Sequence, residues 1–188
     1  MRIGIFADIH DHIDNARRAV ACFNAAGCEL VLFAGDLVSP LVVPALRELN
    51  CPLLGCYGDN DGNKRGIAAG MRIIGPLGEP PFGLETADGT RILLAHQLEH
   101  LAGLVEGCQV VISAHTHRAK VTLREDGLLF INPGETSGWT TRQPTVALLE
   151  TCPLSAEIVE LPAMPLPADL PVPARFRQRM ARSGGEVE

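Results

Sequence analysis

The chain has 188 residues, 46% hydrophobic, 20% charged and 4% aromatic, with a formal net charge of −6. That length suits one domain with a sizeable core, and 19 Gly plus 14 Pro fall short of a low-complexity composition, which excludes disorder throughout. No apolar run approaches the roughly 20 residues of a membrane span, Asp8 and His10 interrupt the N-terminus before a signal-peptide core can form, and the acidity argues against an extended nucleic-acid surface while permitting a small anion held by metal ions. A cytoplasmic protein is expected.

In chain order, residues 2–7 are a short apolar run, 13–26 carry helix formers up to a stop at Gly27, 29–34 are a second apolar run, 42–49 a second helical stretch and 52–57 a third run. Strand, helix, strand, helix, strand predicts a parallel sheet with right-handed crossovers. Beyond residue 83, segments 84–86 and 91–96 flank Asp88-Gly89, a strong hairpin signal. A helix is expected over 99–106 and strands near 109–114, 120–124, 128–132, 146–150 and 157–161. The local connections of this half predict antiparallel pairing. Two sheets packed face to face with helices outside accommodate both halves.

Composition shifts at Pro162, where Pro162, Pro165, Pro167, Pro171 and Pro173 precede Arg175, Arg177, Arg179 and Arg182. Residues 162–188 are expected to form an extended, solvated tail beyond a domain of residues 1–161. Residues 1–170 hold 12 basic and 20 acidic groups, a net charge of −8. The six cysteines, Cys22, Cys28, Cys51, Cys56, Cys108 and Cys152, form no C-x-x-C pair and are expected to be buried free thiols.

The chemistry-bearing residues fall where the apolar runs end: Asp8-Ile9-His10, Gly35-Asp36, Gly58-Asp59-Asn60-Asp61, His96, and His115-Thr116-His117. Loops after strand C-termini converge on one edge of an open α/β sheet, where ligands bind. Each piece alone is weak, since a lone Asp after Gly is commonly a turn residue and a lone histidine is commonly structural. Their common position carries the argument. Residues i and i+2 of extended chain point the same way, which would let Asp8 act with His10 and His115 with His117. Mixed Asp and His ligands without thiolate suit Mn, Fe, Ni, Zn or Co rather than calcium or a structural zinc. Seven such ligands exceed one tetrahedral ion and suit two ions about 3.5 to 4 Å apart.

The ordered set D-x-H, G-D, G-D-x-D, H, A-H-x-H and N-P-G resembles the D-x-H, G-D, G-N-x-D, H, G-H-x-H and N-P-G order of the calcineurin-like metallophosphoesterases, and within them the small YfcE-like phosphodiesterases, over residues 2–160. The resemblance implies a four-layer αββα sandwich of two mixed β-sheets flanked by helices. It implies two divalent metal ions, manganese first with Ni, Fe, Zn, Co or Mg as alternatives: one on Asp8, His10 and His117, the other on Asp59, His96 and His115, bridged by Asp36 and a shared hydroxide. The implied reaction is hydrolysis of a small or nucleotide-like phosphodiester, with Asp36, His115 and His12 as candidate catalytic residues. His12 is open between a phosphate or proton-transfer role and simple exposure.

The chain departs from the pattern at several positions. Asp59 stands where the family has Asn, which predicts tighter metal binding and slower turnover, and Asn60 stands where larger relatives place a histidine acid. Ala114 and Gln97 replace common glycines. Asn132 and Gly134 are expected to form a turn supporting the His115–His117 loop, His100 to lie at the surface, and Trp139 and Tyr57 to pack rather than stack on a nucleobase. The rival readings are a non-catalytic scaffold, as in the retromer subunit that resembles this group, and a phosphomonoesterase. No membrane or extended nucleic-acid partner is expected, and a homo-oligomer is admissible.

Overall fold

The structure, a computed structural model, describes residues 1–162. Its first strand, β1 (Arg2–Phe6), leads into α1 (Ile13–Ala26), β2 (Leu30–Phe33), a 3-10 turn (Pro40–Val42), α2 (Val43–Leu46), β3 (Leu53–Cys56), α3 (Lys64–Met71) and the short β4 (Leu77–Gly78). The second half contributes β5 (Phe82–Glu85), β6 (Arg91–Leu94), a 3-10 turn (Leu98–Leu101), β7 (Val110–Ile112), β8 (Lys120–Leu123), β9 (Leu129–Asn132), β10 (Thr145–Thr151) and β11 (Leu154–Glu160). They form a six-stranded sheet in the order β11-β10-β1-β2-β3-β4 and a five-stranded sheet in the order β5-β6-β7-β9-β8.

The layers follow from side-chain alternation. Ile3, Ile5, Leu30 and Leu32 point from the first sheet onto Ile92, Leu94, Val110, Ile112, Leu129 and Ile131 of the second. The alternate residues Phe6, Val31 and Phe33 pack under the three helices with Ala16, Ala19, Val20 and Phe23 of α1. Those α1 positions recur at helical spacing, which fixes the buried face. Both faces of β1 and β2 are therefore covered, and they read as continuous apolar runs. Burying one such side chain contributes about 1.5 to 3 kcal/mol, and Ile5→Ala at the sheet interface would cost about 2 to 5 kcal/mol. The outer face of the second sheet is thinner: Leu93, Val111 and Phe130 are covered around Leu101 and Val105.

The parallel βαβαβ start is as expected: β1 pairs with β2 and β2 with β3 in parallel register. Helix α1 covers residues 13–26, and Gly27 ends it at φ +69°, its N–H bonded to Asn24 and Phe23 carbonyls. Two expectations fail and a third holds only in part. The helix over 99–106 is only the 3-10 turn at Leu98–Leu101, because Gly103 and Gly107 take left-handed φ of 77° and 76°. The stretch 42–49 holds one turn of helix beside Pro44, whereas α3, with Asn63 as its cap, was not anticipated. Antiparallel pairing in the second half holds for β5–β6, β8–β9 and β10–β11, whereas β6–β7 and β7–β9 are parallel. β10 instead joins the first sheet against β1 and carries β11 with it.

All six cysteines are free. Only Cys28 and Cys56 are buried, and burial pushes their thiols up to about 12; Cys22, Cys51 and Cys108 are half-buried and Cys152 is exposed, contrary to the expectation of burial. Among the described residues no helix is long and apolar enough to cross a membrane. Beyond Pro162, the expected tail lies outside the described residues.

Candidate metal centre

Asp8, His10, Asp36, Asp59, His96, His115 and His117 all leave the C-terminal ends of β1, β2, β3, β6 and β7, at one edge of the paired sheets. They do not converge by extended alternation. Asp8 (φ 51°), His10 (42°), Asp36 (66°), His115 (65°) and His117 (60°) all take left-handed backbone, as do Asp11 and the β-branched Val38. Such conformations cost of order 1 to 3 kcal/mol each and persist only where their surroundings impose them.

Those surroundings are polar and specific. Backbone N–H groups of Asp8, Ile9 and His10 donate to the Gly35 and Asp36 carbonyls at 3.0 to 3.1 Å. The buried Asp61 carboxylate accepts from Gly58 N (2.7 Å), Val38 N (2.7 Å) and Asp36 N (3.1 Å), strapping the β2 loop to the β3 loop. Two glycines permit the approach. A Cβ on Gly35 would meet the His96 ring at 2.7 Å, and one on Gly58 would meet Asp36 Oδ1 at 2.1 Å.

The side chains gather into two trios, each with ligand atoms within 4.8 Å of one another: Asp8, His10 and His117, and Asp59, His96 and His115. In the first, Asp8 Oδ1 lies 3.8 Å from His10 Nε2 and 3.5 Å from His117 Nε2. In the second, Asp59 Oδ1 lies 2.9 Å from His96 Nε2 and 3.2 Å from His115 Nδ1. Asp36 Oδ2 stands between them, 3.6 Å from His10 Nε2 and 3.3 Å from His96 Nε2. The two trios group the same residues as the two sets named from the resemblance, and Asp36 lies within reach of both.

Asp8 Oδ1 and His10 Nε2 are buried and have no hydrogen-bond partner. A buried carboxylate oxygen and a buried ring nitrogen without partners are costly, and a cation would satisfy both. Burial, with the neighbouring Asp36 charge, pushes the Asp8 carboxyl up to about 6. Burial also works to raise Asp36, but hydrogen bonds from His96 and Asn60 outweigh it and hold the carboxyl at about 2. His96 is opposed by burial yet raised to about 9 by its bond to Asp36, the Asp36 charge and the Ala34 carbonyl, to which its Nδ1 donates at 2.8 Å. Burial lowers His10. A site that keeps Asp36 ionised while leaving imidazole nitrogen unpaired fits divalent cations with mixed N and O ligands.

Glu135 is the functional residue that the sequence reading missed. It is fully buried directly after the Asn132-Pro133-Gly134 turn. Its carboxylate accepts from His117 Nδ1 at 2.8 Å, from the Thr140 N–H at 2.9 Å, from the Thr141 N–H, and from the Thr141 and Ser137 hydroxyls at 2.7 and 3.3 Å. With Nδ1 donating to Glu135, the His117 lone pair on Nε2 faces Asp8. The signal available in the sequence was a carboxylate immediately following a tight turn, with nothing to say which histidine it meets.

Other expectations resolve at named contacts. Asn132 Nδ2 donates to the Ala114 carbonyl and to Thr116 Oγ1, and Gly134 N donates to Asn132 Oδ1, so the turn does support the His115–His117 loop. Asn60 donates twice to Asp36, through its backbone N–H at 2.9 Å and its amide at 2.8 Å. His12 is not gathered into either trio. It caps α1, with Nδ1 accepting from Asn15 N, and its ring centroid lies 4.6 Å from that of Trp139. His100 is exposed and Tyr57 is buried, as expected, whereas Trp139 is 64% exposed rather than packed.

Comparison with known proteins gives the family and agrees with the fold. Residues 1–153 match the model of the calcineurin-like phosphoesterase superfamily domain. The phosphodiesterase MJ0936 of Methanocaldococcus jannaschii is 33% identical over 159 residues, covering 80% of this chain and 93% of its own. A probable metallophosphoesterase of Methanothermobacter thermautotrophicus is 31% identical over 162 residues, covering 85% and 92%. Among solved structures, one described as a novel archaeal phosphodiesterase superposes with a TM-score of 0.78 at 30% identity, over 86% of this chain and 100% of that one. Carrying the motif order, the paired sheets and a family match over most of its length, the chain belongs to the calcineurin-like phosphoesterase superfamily.

Proposed function

We propose that the protein is a phosphodiesterase that hydrolyses a small or nucleotide-like phosphodiester with two divalent cations, manganese first. The observation that carries this reading is the pair of trios flanking Asp36, with two buried polar atoms of the first trio, Asp8 Oδ1 and His10 Nε2, left without hydrogen-bond partners. Similarity to relatives named as phosphodiesterases supports the choice of diester. Asp8, His10 and His117 would hold one cation, Asp59, His96 and His115 the other, and Asp36 both. Bound there, the cations supply charge for the phosphoryl oxygens and lower the pKa of a water.

The chain's own residues do the positioning. Asp36 stays ionised because His96 and Asn60 hydrogen-bond it. The Asn60 amide is thereby occupied and has no acid proton to give a leaving group. Glu135 fixes the His117 ring, and the Ala34 carbonyl fixes that of His96. His115, 46% exposed, faces solvent where a diester would enter. Six free thiols suit the reducing cytoplasm, where we place the protein.

The test is hydrolysis of bis(p-nitrophenyl) phosphate by manganese-loaded protein, with His115→Ala as control. Turnover in the parent and loss in the variant are expected. Equal background rates in both would overturn the reading in favour of a scaffold, and a preference for p-nitrophenyl phosphate would make it a monoesterase.

A further inference from the structure

We propose that Trp139 and His12 form an aromatic platform at the rim of the metal centre that takes the flat ring of a nucleobase on the substrate. The inference rests on the phosphodiesterase reading and names the substrate class that the same site prefers.

Trp139 is the only tryptophan in a chain that is 4% aromatic, and 64% of it is exposed. Leaving an indole in water forfeits one of the largest hydrophobic gains any side chain offers. The exposure is nevertheless not looseness. The indole Nε1 donates to the His10 carbonyl at 3.3 Å. The His12 ring lies against it with centroids 4.6 Å apart and planes 34° apart. The segment on either side is clamped: Thr140 and Thr141 donate their N–H groups to the buried Glu135, and Asn15 Nδ2 donates to the Ser137 carbonyl at 2.7 Å. A large aromatic surface held in place against His12 and otherwise left largely uncovered among the described residues is arranged for a further ring to cover it.

Its location says what. The indole is bonded to the backbone of His10, whose Nε2 is 3.6 Å from Asp36, and Thr140 Oγ1 is 3.3 Å from His117 Nδ1. Phosphorus held at the two trios would therefore have one ester arm directed past His10 onto the indole. Every nucleobase presents a π-face to such a ring, and stacking of this kind tolerates sequence while rejecting a bare sugar or alkyl arm. With one tryptophan and one neighbouring imidazole, the platform accommodates a single base, which fits a nucleotide-sized diester rather than a strand.

The single tryptophan makes the test direct. Manganese-loaded full-length protein is titrated with AMP and with ribose 5-phosphate while tryptophan fluorescence is read. Saturable quenching by AMP alone is expected. In parallel, the inhibition constants of both compounds against bis(p-nitrophenyl) phosphate hydrolysis are measured in the parent, Trp139→Ala and Trp139→Phe. The AMP constant should rise by about 5- to 150-fold in the Ala variant and recover in the Phe variant, with the ribose 5-phosphate constant unmoved. Hydrolysis with no AMP quenching and an unmoved AMP constant overturns the platform alone. AMP quenching without hydrolysis keeps the platform and overturns the diesterase reading, and absence of both overturns both.

Discussion

The two trios differ in how they fare without a cation. In the first, Asp8 is buried and its Oδ1, with His10 Nε2, has no hydrogen-bond partner. In the second, Asp59 and His115 are 45% and 46% exposed, and Asp59 already lies within hydrogen-bond distance of both imidazoles. The first place is therefore incomplete alone, whereas the second can satisfy itself with protons. Their common element is Asp36. If the site takes two cations as proposed, the difference predicts a tighter one on Asp8, His10 and His117 and a more exchangeable one on Asp59, His96 and His115.

The largest effect expected is from removing what they share. Asp36→Ala should lower diester hydrolysis by more than about 10²-fold and weaken binding at both trios in calorimetric manganese titrations. Loss at only one trio would break the assignment of Asp36 to both. Next, Glu135→Gln should weaken the first trio by about 10- to 100-fold and leave the second in place, a split visible as two binding phases moving apart or merging. If both phases shift equally, Glu135 supports the fold rather than His117.

Asp59→Asn should act the other way on the second trio: several-fold weaker binding but faster turnover at saturating manganese, because the Asp59 carboxylate opposes an incoming anion. An unchanged or slower rate excludes that cost. The smallest effect is in pH. A cation must displace any proton on its ligand. Affinity at the first trio should climb until Asp8 is ionised near pH 6 and then flatten. At the second it should keep climbing toward pH 9, where His96 gives up its proton. The sign for stability is the reverse. His96 is raised above its ordinary 6.5, so in cation-free protein its contribution is complete below that value and lost as pH rises through about 9. Thermal melts with chelator, across that range, check it.

The same contrast marks what a sequence can show. β1 to β3 and α1 were legible because their apolar runs are uninterrupted and Gly27 ends the helix by its backbone conformation. Helix α3 was not, since Gly66 and Gly70 weaken its propensity and it is held through Ile67 and Met71 packing in the core. The return of β10 to β1 spans most of the chain and leaves no local trace. At the site, the candidate ligands were legible from position and motif order. The reason given for their convergence was not, because left-handed φ at Asp8, His10, His115 and His117 replaces the alternation of an extended strand. Glu135 lay hidden because its meaning depends on His117, 18 residues earlier, and on burial.

The Asp61 strap has a kinetic consequence. One carboxylate joins three backbone amides from two loops, so the contorted segments around Asp36 should be ordered by folding itself and need no closing motion for the proposed ion uptake. Uptake should then be limited by how readily the ion sheds its own water shell. Magnesium, which dehydrates reluctantly, would load slowly even where it eventually binds, and Asp61→Ala would convert a fast, single-step uptake into one that waits on the loops.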